Sequence, residues 1–180
     1  MLRLQSGDGM NRLTTACVLE LTNVLDALAG HMQALIITGN QKFFSAGADL
    51  REVAALNSPS GLKFSQMGQR LMNSIESSPT PVNAAISGYC MGGGLDLALA
   101  CHRRIASPNA FFGHRGAALG LITGWGGTQR LPRLVGKATA LQMFVAADVI
   151  TASHALRIGL VDAVVDDPVQ YCVSESAKLK

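Results

Sequence analysis

The 180-residue sequence has few charged residues and no long apolar run, and both absences narrow the class of protein. Charged residues make up 15% of the chain and apolar residues 48%, a balance that excludes an intrinsically disordered segment. No apolar run approaches the roughly 18 residues that a membrane-spanning helix needs. The net charge is only +3 and the basic residues are scattered. We therefore expect neither a membrane nor a nucleic acid as a partner.

The sequence also lacks the usual cysteine, nucleotide-binding, hydrolase and metalloprotease motifs. Its cysteines, Cys17, Cys90, Cys101 and Cys172, form neither a CxxC pair nor a zinc-ligand spacing, and no signal peptide is recognisable. We therefore expect a reduced, cytoplasmic protein with buried thiols and no metal or redox cofactor. There is no GxGxxG fingerprint, phosphate-binding loop, GxSxG elbow or HExxH pair.

The apolar periodicity alternates between strand and helix along the chain. It predicts strands over 34–38, 82–87, 104–107, 110–113 and 161–165, and helices over 14–29, 62–77, 128–134, 138–146 and 152–158, with a further helix from Val169. Gly30 is expected to end the first helix, and the segment 39–47 is expected to be a loop. The alternation predicts a single α/β domain over 1–180 with parallel strands.

Two glycine-bearing turns follow predicted strands and carry the chemical signal. In the first, Gly47 lets the backbone turn so that the amide of Ala48 points into a cavity. The second contains Gly92, Gly93 and Gly94 at the head of a helix, whose positive dipole end lies behind the exposed amides. Two converging amides would form an oxyanion hole. The alternative for either turn alone is a tight connection without chemistry.

Four segments resemble known family signatures. The segments 45–49 (SAGAD), 86–98 (ISGYCMGGGLDLA), 119–132 (LGLITGWGGTQRLP) and 151–162 (TASHALRIGLVD) are similar, in order and spacing, to those of the crotonase (enoyl-CoA hydratase/isomerase) superfamily. The resemblance extends over about 11–165. It implies the crotonase-type ββα superhelix shared with the Clp protease, an acyl-CoA or enoyl-CoA ligand, and a homo-oligomer, trimer or hexamer.

The resemblance assigns roles to individual residues. Ala48 and Gly93 match the two oxyanion-hole donors. The substrate-binding positions implied are Ala46, Ala48, Asp49, Leu50, Arg51, Gly92, Gly93, Gly116 and Trp125, of which 48–51 match the stretch that contacts CoA. Arg51 is expected either to contact CoA or to lie solvated at the surface. Trp125 is expected either to wall the acyl chain or to pack in the core.

The acid/base positions depart from the pattern of the family. Hydratases of the family use two glutamates, and here those positions hold Asp96 and Gly116. Hydration needs one group to activate water and another to protonate the α-carbon. Asp96 and His114 are the catalytic candidates, since His114 titrates near neutrality and lies two residues before Gly116. The alternatives are a carboxylate that caps the glycine turn and an ordinary, partly exposed histidine. Arg115 would pair with Asp96, bind an acyl carboxylate, or lie at the surface.

The resemblance leaves more than one function open. One is an enoyl-CoA hydratase/isomerase-type enzyme with atypical acid/base residues, using no cofactor beyond the coenzyme A of its substrate. Another enolate reaction, such as decarboxylation or thioester hydrolysis, and a non-catalytic CoA-ester-binding homologue are the alternatives. Dienoyl-CoA isomerases also have Asp at the first position but carry acids where Gly116 and Gly124 stand. A Clp-type peptidase is disfavoured because no serine stands beside 92–94.

The resemblance also concerns the two ends of the chain. Typical family members begin with an additional strand and continue into C-terminal helices that build the trimer. The predicted elements include neither, so we expect both to be lacking here and some apolar surface to lie uncovered.

Overall fold

The computed structural model describes residues 1–28 and 33–178, and within them the chain alternates short strands with helices. The strands are β1 (Leu2–Arg3), β2 (Arg12–Leu13), β3 (Leu35–Thr38), β4 (Phe43–Ser45), β5 (Gly47–Ala48), β6 (Val82–Ile86), β7 (Tyr89–Met91), β8 (Arg103–Ala106), β9 (Phe111–Gly113), β10 (Ile150–Thr151) and β11 (Ala163–Val164). The helices are α1 (Thr15–Leu28), α2 (Leu50–Ala54), α3 (Ser58–Glu76), α4 (Gly93–Ala100), α5 (Gly127–Val135), α6 (Lys137–Ala146), α7 (Ala152–Arg157) and α8 (Pro168–Ala177), with a 3-10 helix over Arg115–Leu119.

Two main sheets contain most of the strands, and β2 and β5 form a separate, two-stranded parallel sheet. The first sheet is parallel, in the order β1-β3-β6-β8-β11, and the second has the order β10-β9-β7-β4, with only β10 antiparallel to its neighbour. The pairs β3/β4, β6/β7 and β8/β9 each place one strand in each sheet before the chain turns into helix. This repeat is the ββα superhelix expected from the sequence.

The core lies between the sheets and the helices. All four residues of β3 are buried, as expected for a parallel strand covered on both faces. One face is covered by α8, whose Cys172 packs with Ile36, Ala85 and Ile105. Every residue of α4 from Gly94 onward is buried. The site described below is therefore attached to the most enclosed helix of the fold.

The structure confirms the longer predicted elements and corrects three short ones. The segment 39–47, predicted as a loop, contains β4, which pairs with β7. The sequence pattern also does not show the two strands before α1, of which β1 pairs with β3 and β2 with β5. Strands of two or three residues are too short to show a twofold apolar alternation, so sequence patterning misses them. Gly30 lies outside the described residues.

Candidate active site

The backbone nitrogens of Ala48 and Gly93 lie close together where β5 meets the start of α4. A Cβ on Gly93 would stand 3.2 Å from the amide nitrogen of Ala48, and a Cβ on Gly47 would stand 2.9 Å from that of Gly93. Gly47 also has φ of 92°, which side chains rarely adopt. Gly93 is the first residue of α4, where amides have no acceptor within the helix. Glycine is therefore required at both turns for the two amides to come together.

A cavity of about 870 Å³ lies beside these amides and collects most of the predicted site residues. Those that line it are Ala46, Ala48, Leu50, Gly92, Gly93, Asp96, His114, Gly116 and Trp125. Asp49 and Arg51 are not part of its lining. Asp49 instead caps α2, its carboxylate accepting a 2.8 Å hydrogen bond from the amide of Arg51, and Arg51 itself is exposed.

An apolar wall completes the cavity, and the sequence reasoning missed it. The wall is formed by Phe64 of α3 and by Leu141, Phe144 and Val145 of α6, together with the segment 119–123. The spacing of 141, 144 and 145 places these side chains on one face of a helix. The sequence therefore shows an apolar helix face, but this pattern is the same for a cavity wall and for a core contact.

Trp125 packs in the core and also lines the cavity, and its contact with an acyl chain stays a prediction. It is only 2% exposed, and its indole Nε1 donates a 3.2 Å hydrogen bond to the carbonyl of Phe64, whose ring centroid lies 5.1 Å away. The ring also lies directly over Gly68 and within 2.6 Å of where a Cβ on Gly93 would stand. Trp125 is thus part of the core and, at the same time, a wall of the cavity.

Asp96 is a buried carboxylate that faces the cavity from α4. It is 1% exposed, and the hydroxyl of Thr123 donates to its Oδ2. The glycine turn itself receives no side-chain cap, so the capping alternative was wrong. Burial raises the pKa of Asp96 to about 7, although the Thr123 hydroxyl, the Arg130 guanidinium and nearby amides favour the charged form. Near neutral pH this carboxyl group can therefore both accept and release a proton.

His114 is the ionisable neighbour of Asp96 and also lines the cavity. Its Nε2 lies 3.5 Å from Oδ1 of Asp96, and neither atom has a hydrogen-bond partner of normal geometry among the described residues. The imidazole is 4% exposed and lies 5.2 Å from the ring of Phe144. Burial lowers the pKa of His114 to about 4. The expectations of partial exposure and of titration near neutrality were therefore wrong, because the imidazole is enclosed and neutral.

The comparisons with known proteins agree with this geometry. The family model described as enoyl-CoA hydratase/isomerase matches residues 1–178. The chain belongs to this family. It is 42% identical over 168 residues to a crotonyl-CoA hydratase of Syntrophomonas wolfei, covering 92% of this chain and 65% of the relative. It is 44% identical over 173 residues to a probable enoyl-CoA hydratase of Bacillus subtilis, covering 93% and 66%.

A solved member of the enoyl-CoA hydratase/isomerase family shares the fold closely. The crystal structure of an enoyl-CoA hydratase from Bacillus anthracis has a TM-score of 0.92 and 36% identity, covering 98% of this chain and 70% of that one. The chain thus spans about two thirds of the length of the curated relatives it matches.

This member of the family differs from the usual pattern on the 3-10 helix. Gly116 lines the cavity but brings no carboxylate, and a Cβ there would stand 2.9 Å from the carbonyl oxygen of Leu121. Arg115 also lines the cavity and is exposed. Asp96 is contacted by His114, so of the three alternatives for Arg115 the pairing with Asp96 was wrong.

Over residues 1–28 and 33–178, no helix combines the length and the apolar composition of a membrane span, and no group of three His, Cys, Asp or Glu side chains is arranged to hold a metal. All four cysteines are free. Burial raises the pKa of the Cys101 thiol to about 12 and that of Cys172 to about 11, so both thiols are unreactive near neutral pH.

Proposed function

We propose that the protein binds an acyl-CoA thioester and stabilises an enolate-type anion formed from it. The observation that carries the proposal is the approach of the Ala48 and Gly93 amides at the N-terminus of α4. A thioester carbonyl oxygen held between them would receive two hydrogen bonds, and the helix dipole would favour the negative charge that develops on it. These donors belong to the backbone, so they act independently of the altered acid/base residues.

The proposed acid/base group is Asp96. With a pKa of about 7 it exchanges protons readily near neutral pH, which suits a group that moves a proton to or from the α-carbon. The neutral imidazole of His114, 3.5 Å away, would hold the carboxyl group in place and share its proton. We therefore propose enoyl-CoA hydratase/isomerase-type chemistry that uses a single acid/base centre.

Hydration by this centre should be slow because no second carboxylate is present to activate the water molecule. Gly116 stands where hydratases of the family have the second glutamate, and it offers no side chain. General acid–base catalysis by one positioned group is typically worth about 10²–10⁴-fold in rate. Gly116 also favours the second candidate, a CoA-ester-binding homologue with little or no catalysis. Both functions require the same amide pair, and only turnover distinguishes them.

The cavity supports an apolar acyl group as the ligand. The segment 48–51 would contact the CoA moiety, with Leu50 in the cavity wall, while Trp125, Phe144 and Leu141 would surround the acyl chain. Neither a metal nor a redox cofactor is needed for this chemistry. The coenzyme A of the substrate would be the only cofactor-derived group.

We also propose that the protein is a cytoplasmic homo-oligomer, a trimer or a pair of trimers. Large apolar side chains are exposed on α6 and before it, including Leu141 at 63%, Val145 at 70% and Ile122 at 72%. Such side chains favour association. Light scattering should give a mass of at least three chains at micromolar concentration. A stable monomer across that range would contradict the proposal.

The decisive experiment combines two measurements on the same protein. Hydration of crotonyl-CoA is followed by the loss of enoyl absorbance, and binding of a saturated acyl-CoA is followed by calorimetric titration. We expect clear binding together with turnover well below that of a two-glutamate hydratase. Binding without any turnover would leave only the non-catalytic candidate. Absence of binding would refute the proposed function.

A further inference from the structure

A buried arginine on α5 is tied to α3 by all of its polar contacts except one. Arg130 is 7% exposed, and its Nε and Nη2 donate to Oε2 of Glu76 at 3.1 and 2.7 Å. Nη2 also donates to Asn73 at 2.8 Å. The remaining contact runs from Nη1 to the carbonyl oxygen of Trp125 at 3.3 Å. Arg130 thus connects α3 with the turn 124–127 that precedes its own helix.

The same turn is attached to α3 at two further points. Nε2 of Gln69 donates a 2.7 Å hydrogen bond to the carbonyl of Gly124, and the Trp125 indole donates to the carbonyl of Phe64. Gly126, with φ of 104°, leaves the space that the Arg130 guanidinium occupies. The backbone of the turn is therefore fixed from one side by α3 and from beneath by Arg130.

The other side of this turn faces Asp96. A Cβ on Gly127 would collide with Oδ1 of Asp96, so the carboxylate lies directly against the backbone of the turn. The amides of Trp125 and Gly127 favour the charged form of the carboxyl group, and so does the Arg130 guanidinium. The turn and its arginine are thus adjacent to the proposed acid/base group, whereas Glu76 is half exposed on the far side.

The charged and titratable side chains around Asp96 are few. His114 approaches after β9, and Arg115 follows it in the lining of the same cavity. Cys90 lies on β7 and Arg130 on α5. The strands β4 and β5 contribute none, and Arg12 of β2 pairs with Asp8. The charged side chain of α3 that bears on Asp96 is Glu76, which forms an ion pair with Arg130.

We propose that the Arg130–Glu76 ion pair is a positioning unit for Asp96, which holds the 124–127 turn against the carboxylate and sets the net charge that it faces. This inference deepens the proposed function, since it concerns the same acid/base centre. Because Arg130 touches Trp125 rather than the cavity, it acts on the reaction only through the turn and through its charge.

The two members of the pair should shift the proton affinity of Asp96 in opposite directions. Arg130→Met removes a positive charge and should raise the titration midpoint of Asp96 by on the order of one pH unit. Glu76→Gln should lower the midpoint by less, because Glu76 is half exposed and the isosteric amide still accepts from Arg130. A merely structural pair would shift both variants in the same direction, or neither.

The test follows the carboxyl group itself and needs no substrate. The full chain is labelled with ¹³C at the aspartate carboxyl groups, and the Asp96 resonance is assigned by its loss in Asp96→Asn. Its NMR titration is then compared among wild type, Arg130→Met and Glu76→Gln. Asp26→Asn is the matched control, because Asp26 belongs to an exposed ion pair with Arg70 of α3, 3.6 Å apart. It should leave the midpoint unchanged.

The turn can be followed separately, because Trp125 is the only tryptophan of the chain. Arg130→Lys keeps the charge but loses the planar fork, so it should keep the midpoint near that of wild type while changing Trp125 emission. Shifts of equal sign, or unchanged midpoints in both folded variants, would overturn the proposal. Should Arg130→Met fail to fold, the sign of the Glu76→Gln shift alone decides. Since no ligand is involved, this result is independent of whether acyl-CoA binds.

Discussion

Replacing Asp96 by asparagine should make the fold progressively more stable relative to the wild type as the pH rises. The pKa of Asp96 is raised from its ordinary value of 3.8 to about 7 in the folded chain. The folded chain therefore holds this proton more tightly than the unfolded chain, and stability is lost as the pH rises through about 4 to 7. At about 1.4 kcal/mol for each pKa unit, the total loss is about 4 kcal/mol, of which about 3 kcal/mol falls between pH 5 and 8.

In the wild type this loss of stability is largely offset, because the titration of His114 changes the unfolding free energy in the opposite direction. Its pKa is lowered from 6.5 to about 4, so the folded chain gains stability as the pH rises through about 4 to 6.5. That gain is about 2 kcal/mol between pH 5 and 8. The wild-type stability should therefore change little over this range, whereas Asp96→Asn, which keeps only the His114 gain, should become markedly more stable.

Urea unfolding of wild type and Asp96→Asn at pH 5 and 8 tests the reasoning. The quantity to compare is the change with pH of the difference in unfolding free energy, because any pH-independent cost of the amide cancels. We expect the difference to move by about 3 kcal/mol in favour of the variant. Parallel pH profiles for the two proteins would show that Asp96 does not titrate in the buried state described here.

Further predictions concern turnover and thiols. Gly116→Glu should raise the rate of crotonyl-CoA hydration by about one to two orders of magnitude, because it restores an acid/base group. The variant should also be somewhat less stable, because the 3-10 helix must move away from the carbonyl of Leu121. His114→Ala should lower turnover relative to the wild type. If the wild type hydrates crotonyl-CoA at a rate typical of hydratases and His114→Ala does not change that rate, the site assignment is refuted. In a thiol-reagent assay on the native protein, half-buried Cys17 should react first, and rapid modification of Cys101 would contradict its burial.

The glycines and Asp96 could be predicted from the sequence because each belongs to a short local motif. Gly47 and Gly93 each stand in a glycine-bearing turn of consecutive residues, and the positive φ of Gly47 favours glycine there. The pairing of the two turns needed the resemblance to the family, because the sequence does not state that β5 lies beside α4.

The environment of the site could not be predicted, because it depends on packing between distant elements. His114 resembles an ordinary loop histidine in the sequence, yet Phe144, thirty residues later, helps to bury it. Likewise, Arg130 reaches Glu76 across more than fifty residues, which no periodicity reveals. Burial sets the pKa values of both acid/base candidates, so their protonation states follow from the structure alone.

The central claim is that the Ala48 and Gly93 amides bind a developing oxyanion, and one comparison tests it directly. Gly93→Pro removes one donor at the first position of α4, where the fixed φ of proline suits a helix. Its Cβ would stand 3.2 Å from the Ala48 amide nitrogen and 2.6 Å from the Trp125 ring, so the ring must shift. Gly61→Ala is the matched control, since Gly61 lines the cavity and has open space for a methyl group.

Calorimetry should compare an enolate-mimicking CoA ester with free CoA for wild type and both variants, with circular dichroism confirming each fold. We expect Gly93→Pro to weaken ester binding by about 10²–10³-fold, with free CoA binding little changed, and Gly61→Ala to resemble wild type. An unchanged affinity of folded Gly93→Pro for the ester, or an equal loss for ester and free CoA, would contradict the oxyanion hole.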